Sequence, residues 1–245
     1  MLNSIASNYA NRVDEYVATR PEYPAALLSD LPSADTIIEL GAGTGKFTRL
    51  LSLTGKRILA VEPIEAMAAR IQVDRLARVE VLIGTAEAIP APDNIADLVC
   101  CATAFHWFDY ARATCEILRV LKKDGTLVLI HNARDDRVPW VAEFCKVVDS
   151  YTGSAPRRSS GDAIFSDLRF VGIAKKTYTI THSMPPSALV DRAFSTSFIA
   201  SLSPSDLKMV HDRILAISKN DPALIGKDEI EFPYVTELHV FRKRV

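Results

Sequence analysis

The residues of this chain best placed to do chemistry together are Glu39-Leu-Gly41-Ala-Gly43-Thr-Gly45, with Glu62 further on. Glycines let a backbone turn sharply and let a ligand approach with no Cβ in the way. Glu62 falls about 20 residues after the first glycine, the spacing at which an acid ending the next strand accepts hydroxyl hydrogens from a ribose. The spacing is G-x-G-x-G, and Lys46 stands where a G-x-G-x-x-G dinucleotide fingerprint wants its last glycine. Glu39, just before the loop, would repel a pyrophosphate and suits a ligand carrying an ammonium or a sulfonium. The plainer readings are a ligand-free turn for the loop and a solvated strand end for Glu62.

A second group is Ala104-Phe105-His106-Trp107-Phe108-Asp109. A neutral imidazole at His106 would take a proton from a hydroxyl or carboxyl substrate. The plainer reading is that His106 orients substrate or packs beneath Trp107. Phe105 and Trp107 would form an aromatic wall beside a cationic ligand, an attraction worth about 0.5–2 kcal/mol. Phe108 reads as core. Arg134, with Asp135 and Arg137, faces either a substrate carboxylate or solvent in a loop.

These groups need a scaffold, and the apolar pattern supplies one. Runs at 35–40, 57–62, 79–84, 96–102 and 126–130 read as buried strands, and helical patterns at 46–53, 63–76 and 110–121 alternate with them. Lys122-Lys-Asp-Gly125 reads as a turn. Continuous apolar strands separated by helices predict a parallel sheet covered on both faces, with ligands bound at the carboxyl ends of its strands. Further on, 140–151 reads as a helix, 152–162 as a polar loop and 186–218 as two helices broken near Ser203-Pro204. Strands include 178–181 and 236–241.

The segment from Glu39 to Thr48 resembles the first motif of class I S-adenosylmethionine-dependent methyltransferases. Val61-Glu-Pro63 is similar to their second motif, and Gly84-Thr-Ala-Glu-Ala-Ile-Pro90 to their loop after the third strand. Ala104 to Asp109 and Leu118 to Gly125 resemble the trans-aconitate methyltransferase-like branch of the type 11 family. The likeness is dense from Asp35 to Asn132 and thinner at Tyr16–Pro24 and Pro233–Phe241; Lys123-Asp124 departs from the usual proline and glycine. The resemblance implies an α/β, doubly wound, Rossmann-like sheet of seven mostly parallel strands, order 3-2-1-4-5-7-6 with the last antiparallel. It implies that Gly41, Ala42 and Gly43 line the methionine part of the cofactor, Glu39 belongs to the same site, Glu62 holds the ribose and Pro63 packs on the adenine. Thr85, Ala86 and Glu87 would surround the adenine, although Thr85 as a helix cap and Glu87 as a helix-start acid read as well. Ala102 and Thr103 would lie near the methionyl portion, and Tyr16 and Arg20 would close over the cofactor, Arg20 near its carboxylate.

Composition narrows the function. The 245 residues suit one α/β domain: residues 1–30 as an N-terminal cover, 31–132 as the cofactor-binding core and 133–245 as a substrate cover plus the last strands. Hydrophobic residues make up 48% and net charge is −1, so nothing advertises nucleic acid. Neither a signal peptide nor an apolar run of about 18 residues is present, so no membrane is expected. Four cysteines without a C-x-x-C pair read as reduced and mostly buried, in a cytoplasmic protein, and no metal pattern is visible. The expected protein is a monomer or homodimer transferring a methyl group, weakly favouring oxygen, from S-adenosylmethionine to a small-molecule acceptor and releasing S-adenosylhomocysteine. The rivals are a tRNA or protein methyltransferase, a non-catalytic binding scaffold and a nicotinamide dehydrogenase; Glu39 and Lys46 speak against the last.

Overall fold

The computed structural model describes residues 19–152 and 162–244. Tyr16 and the Arg157-Arg158 loop lie outside them. In chain order the elements are β1 (Thr36–Leu40), α1 (Lys46–Ser52), β2 (Arg57–Glu62), α2 (Glu65–Val73), β3 (Val79–Ile83), β4 (Ala96–Ala102), α3 (Tyr110–Val120), β5 (Leu121–Arg134), α4 (Pro139–Asp149), β6 (Phe170–Met184), α5 (Ala188–Phe194), α6 (Pro204–Asn220) and β7 (Ile230–Lys243). The strands form a seven-stranded sheet in the order β3-β2-β1-β4-β5-β7-β6, the order that the family resemblance implies. Every pairing from β3 through β5 is parallel.

Strands alternate their side chains between faces, and both faces here are buried. Ile38 and Leu40 of β1 join Val99, Cys101, Leu127 and Leu129 in one core, closed by Ala113, Ile117 and Val120 of α3. Their neighbours Ile37, Ile58, Leu98, Cys100 and Val128 point the other way, against Phe47 and Leu51 of α1. Glu39 shares that second face, and this places its carboxyl beside α1. Cys100 and Cys101 are free and buried, and burial pushes both thiols well above their usual range; Cys115, by contrast, is exposed.

Two compact units divide the chain. Of the described residues, a sheet unit holds 22–132, 162–178 and 236–244, and a helical unit holds 19–21, 133–152 and 179–235. The helical unit has its own core. Trp140, Val141, Phe144, Val147 and Val148 line one stripe of α4 and pack with Leu189 and Ala193 of α5, Val210 and Ile214 of α6, and Phe232 and Tyr234.

Three expectations are corrected. Lys122 to Gly125 lies within β5, where the register passes from Ala96↔Leu121 to Leu98↔Thr126 and the intervening residues bulge out of the ladder. β6 and β7 extend well beyond 178–181 and 236–241. In β7 the alternating buried residues Ile230, Phe232 and Tyr234 continue the strand past Pro233, a residue with no ladder donor. Helix α2 starts at Glu65, so Pro63 precedes its first turn. Among the described residues, no helix is long and apolar enough to cross a membrane, and no cluster could hold a metal ion.

Candidate active site

The loop leaving β1 is tied back to β2, because the N–H groups of Gly41 and Ala42 both donate to the Val61 carbonyl, at 2.9 and 3.1 Å. Its glycines do different work. At Gly41 (φ +69°) an added Cβ would sit 2.5 Å from the Cβ of Ala104, so this glycine lets the loop after β4 pack close. At Gly43 (φ +57°) nothing lies within 4 Å of an added Cβ. That glycine presents bare backbone to open space, as a ligand-facing position requires.

Glu62 is not a solvated strand end, since it is 4% exposed. One carboxylate oxygen accepts the Gly43 N–H at 2.8 Å and the other the Ile64 N–H at 3.0 Å. A carboxylate has about four lone-pair sites, so two bonds leave capacity for two vicinal hydroxyls. Burial raises the Glu62 pKa against these hydrogen bonds. Glu39 is buried more deeply and accepts the Thr48 hydroxyl at 2.7 Å. Burial pushes its carboxyl up to about 8, although the Thr48 bond opposes this, and the nearby charge of Glu62 adds to the rise.

The opposite rim is the end of β4. Thr103 takes φ +55°, a left-handed backbone that a β-branched residue adopts only at a cost. Its N–H donates to Ile130 O at 2.7 Å. Its hydroxyl oxygen accepts the Tyr23 hydroxyl at 3.1 Å and the Asn132 N–H at 3.3 Å. Residues 105–107 form one 3-10 turn. In it Phe105 is buried in the sheet core, edge-on to Phe108 and Tyr110. The ring that reaches the glycine loop belongs to Phe108, 3.6 Å from where a Gly41 Cβ would stand. The expected core packing of Phe108 holds, since it lies against the sheet core, whereas Phe105, expected beside the ligand, is itself buried in that core. Trp107 is 42% exposed, and the half-buried His106 lies 4.9 Å from it, ring to ring, at a tilt of 43°.

The loop after β3 is not the start of a helix, which removes the capping reading of Thr85 and the helix-start reading of Glu87. Thr85 instead bridges to Ala88, Ala86 is buried, and Glu87 accepts the Asp109 N–H at 2.7 Å. Helix α3 holds the loop: Glu116 accepts the Ile89 N–H at 2.8 Å, and Arg119 donates to the carbonyls of Ile89 and Ala91. Tyr23 and Arg119 lie in motif segments that resemble the family and Glu116 lies outside them, but none of the three announces in sequence the distant partner it holds. Pro63 is exposed and Ala102 half-buried.

Arg20 and Arg134 belong to the helical unit. Arg20 donates to the Ser195 carbonyl at 2.9 Å. Arg134 is not in a solvated loop: it ends β5, pairs with Asp149 at 3.3 Å and lies over the Phe144 ring. Arg137 is exposed and pairs with Asp135.

Comparison with known proteins bears on this geometry. A family model described as a methyltransferase domain matches residues 38–129. A methyltransferase-like protein of Schizosaccharomyces pombe is 35% identical over 233 residues, covering 91% of each chain. The chain belongs to the class I methyltransferase family. This methyltransferase also shares its fold with a solved structure described as a type II methyltransferase from Anaeromyxobacter dehalogenans, at TM-score 0.68 and 20% identity over 92% of this chain and 97% of that one. The malonyl-[acyl-carrier protein] O-methyltransferase of Methylococcus capsulatus is 30% identical over 178 residues, covering 66% of this chain and 62% of its own.

The methyltransferase's residues fit the cofactor its family implies. Gly43 offers an open backbone face, Glu62 retains acceptor capacity for a ribose, and Glu39 is a buried acid of β1 just before the loop.

Proposed function

We propose that this methyltransferase transfers a methyl group from S-adenosylmethionine to an oxygen of a small organic acceptor. The observation that carries this reading is the open backbone at Gly43 directly beside the buried Glu62 carboxylate. When bound, the cofactor supplies an electrophilic methyl carbon on a sulfonium. Glu62 accepts the ribose hydroxyls, Gly43 lets the methionine part lie against bare backbone, and Thr85 and Ala86 flank the adenine. His106, following β4, receives the proton that an acceptor hydroxyl gives up, and Trp107 shields that site from water. Holding the acceptor aligned supplies much of the acceleration. The near-neutral charge supports a small acceptor over a nucleic acid. The O-methyltransferase among its relatives supports oxygen.

Calorimetric titration with S-adenosylmethionine and S-adenosylhomocysteine, with NAD as control, tests the cofactor. The expected result is binding of both sulfur ligands, weakened in Glu62→Ala. Binding of NAD with neither sulfur ligand would overturn the reading. Methyl transfer to hydroxy and carboxylic acids is then compared with transfer to tRNA.

A further inference from the structure

Two loops of the sheet unit are joined through one carboxylate. Glu87, on the loop after β3, accepts the Asp109 N–H at 2.7 Å. Asp109 is the joint between the 105–107 turn and α3. Its carboxylate accepts the Arg112 N–H at 3.1 Å and its carbonyl the Ala113 N–H at 2.8 Å, so both of its acceptor groups serve the helix. Its single backbone donor goes to Glu87. The Glu87 carboxylate thereby also stands at the positive end of the α3 dipole, where an acid is favoured.

The Glu87 side of this bridge is firmly held. Thr85 bridges to Ala88, and a Cβ at Gly84 would stand 2.6 Å from the Pro90 ring, so the loop closes on itself. Glu116 and Arg119 of α3 fasten it at Ile89 and Ala91. The turn itself is a weaker element. A single 3-10 turn has poorer hydrogen-bond geometry than an α-helix. This one rests on the Trp107 N–H to Ala104 O at 2.9 Å and the Phe108 N–H to Phe105 O at 3.2 Å. Phe105 and Phe108 hold it by packing on the core, and the Asp109 N–H is the polar tie at its exit. Between them stand the half-buried His106 and the exposed Trp107.

We propose that Glu87 is a positioning residue for methyl transfer: through the Asp109 N–H it fixes the exit of the 105–107 turn, and with it His106 and Trp107, against the loop expected to receive the adenine. What the turn does rests on the methyl-transfer reading; how the turn is held does not. A misplacement of about 1 Å in a reacting group costs about 100-fold in rate. Glu87 therefore acts on the chemistry through Asp109 and not as an adenine contact.

The test is acrylamide quenching of tryptophan fluorescence in the full chain. Its two tryptophans are Trp107, 42% exposed, and Trp140, 5% exposed, so this neutral quencher reads the turn. Glu87→Ala is expected to raise the quenching constant about twofold, the increase left open by the exposure Trp107 already has. Glu87→Gln keeps an acceptor oxygen for the Asp109 N–H and is expected to stay at the wild-type value. Glu87→Asp keeps the charge, shortens the reach and is expected to follow Glu87→Ala, which covers a failure of the alanine variant to fold. S-adenosylhomocysteine affinity, by calorimetry, is expected to change by less than about threefold, the scale of a substitution away from the ligand. Methyl transfer to salicylate, which offers a hydroxyl and a carboxylate, is expected to slow by about 100-fold in Glu87→Ala and to be rescued in Glu87→Gln. Unchanged quenching in Glu87→Ala and Glu87→Asp overturns the proposal, as does an equal rise in Glu87→Gln. A loss of affinity of about tenfold with unchanged quenching makes Glu87 an adenine contact instead. Quenching needs neither cofactor nor acceptor: a wild type that binds no S-adenosylhomocysteine sinks the methyl-transfer reading, while the quenching comparison still decides how the turn is held.

Discussion

The carboxylate of Glu62 accepts the backbone N–H of Gly43 at 2.8 Å, so the acid that would read a ribose also holds the loop that would cradle the rest of the ligand. Binding and loop geometry are thus coupled through one side chain. Hydrogen bonds to a charged group are worth about 1.5–3 kcal/mol each. Glu62→Ala is expected to weaken S-adenosylhomocysteine by at least about tenfold, measured by calorimetry. Unchanged affinity would remove Glu62 from the site.

The two outer positions of the Gly41-Ala42-Gly43 turn should respond differently to alanine. Gly43→Ala meets open space, so the cost is the left-handed backbone alone, about 1–2 kcal/mol. It should fold and lose cofactor affinity. Gly41→Ala drives a Cβ to 2.5 Å from that of Ala104 and should lose more stability. Urea denaturation alongside calorimetry separates the two, and equal stability losses would contradict the assignment.

Stability should fall with rising pH in a window set by Glu39. Its carboxyl titrates at about 8 when folded and near its ordinary 4.5 when unfolded. Between those values the folded chain keeps a proton that the unfolded chain has lost, so unfolding is favoured progressively as pH rises. Above the window both states are ionised and the slope vanishes. Glu39→Gln retains an acceptor for Thr48, carries no charge, and should flatten the decline. Urea midpoints from pH 5 to 8.5 measure it, and parallel wild-type and variant curves would refute the cause.

Thr103 should be limited by its backbone rather than by its side-chain volume. Thr103→Val keeps the β-branch at φ +55° and leaves the Tyr23 hydroxyl and Asn132 N–H without their acceptor. It should cost about 1–3 kcal/mol. Thr103→Gly relieves the backbone and should cost less. The reverse order in denaturation midpoints would mean that the left-handed backbone carries no strain.

His106→Ala should leave S-adenosylhomocysteine affinity intact and reduce kcat on a hydroxyl acceptor by about 100-fold or more, the scale of general-base catalysis. On a carboxylate acceptor, which has no proton to lose, the loss should be smaller. Equal losses on both acceptors would make His106 a positioning residue.

Sequence alone determined that β1 to β5 run parallel, the glycine loop and the acid at its far end, because these rest on local chemistry, whereas the order of those strands followed from the resemblance to the family. Apolar runs of strand length, glycines at the turn and a carboxylate at a strand end are all legible within about 25 residues. Tertiary structure decided what depends on distant neighbours. The turn at 105–107 buries Phe105 in the core and leaves Phe108 between that core and Gly41, a placement invisible in a row of aromatics. Glu87 finds Asp109, and Ile89 finds Glu116, across the gap between two elements. Arg192 shows the limit most clearly. In sequence it is an ordinary helical arginine. Only the packing of α5 with the rest of its unit buries its charge against two hydroxyls and leaves it without a carboxylate partner among the described residues.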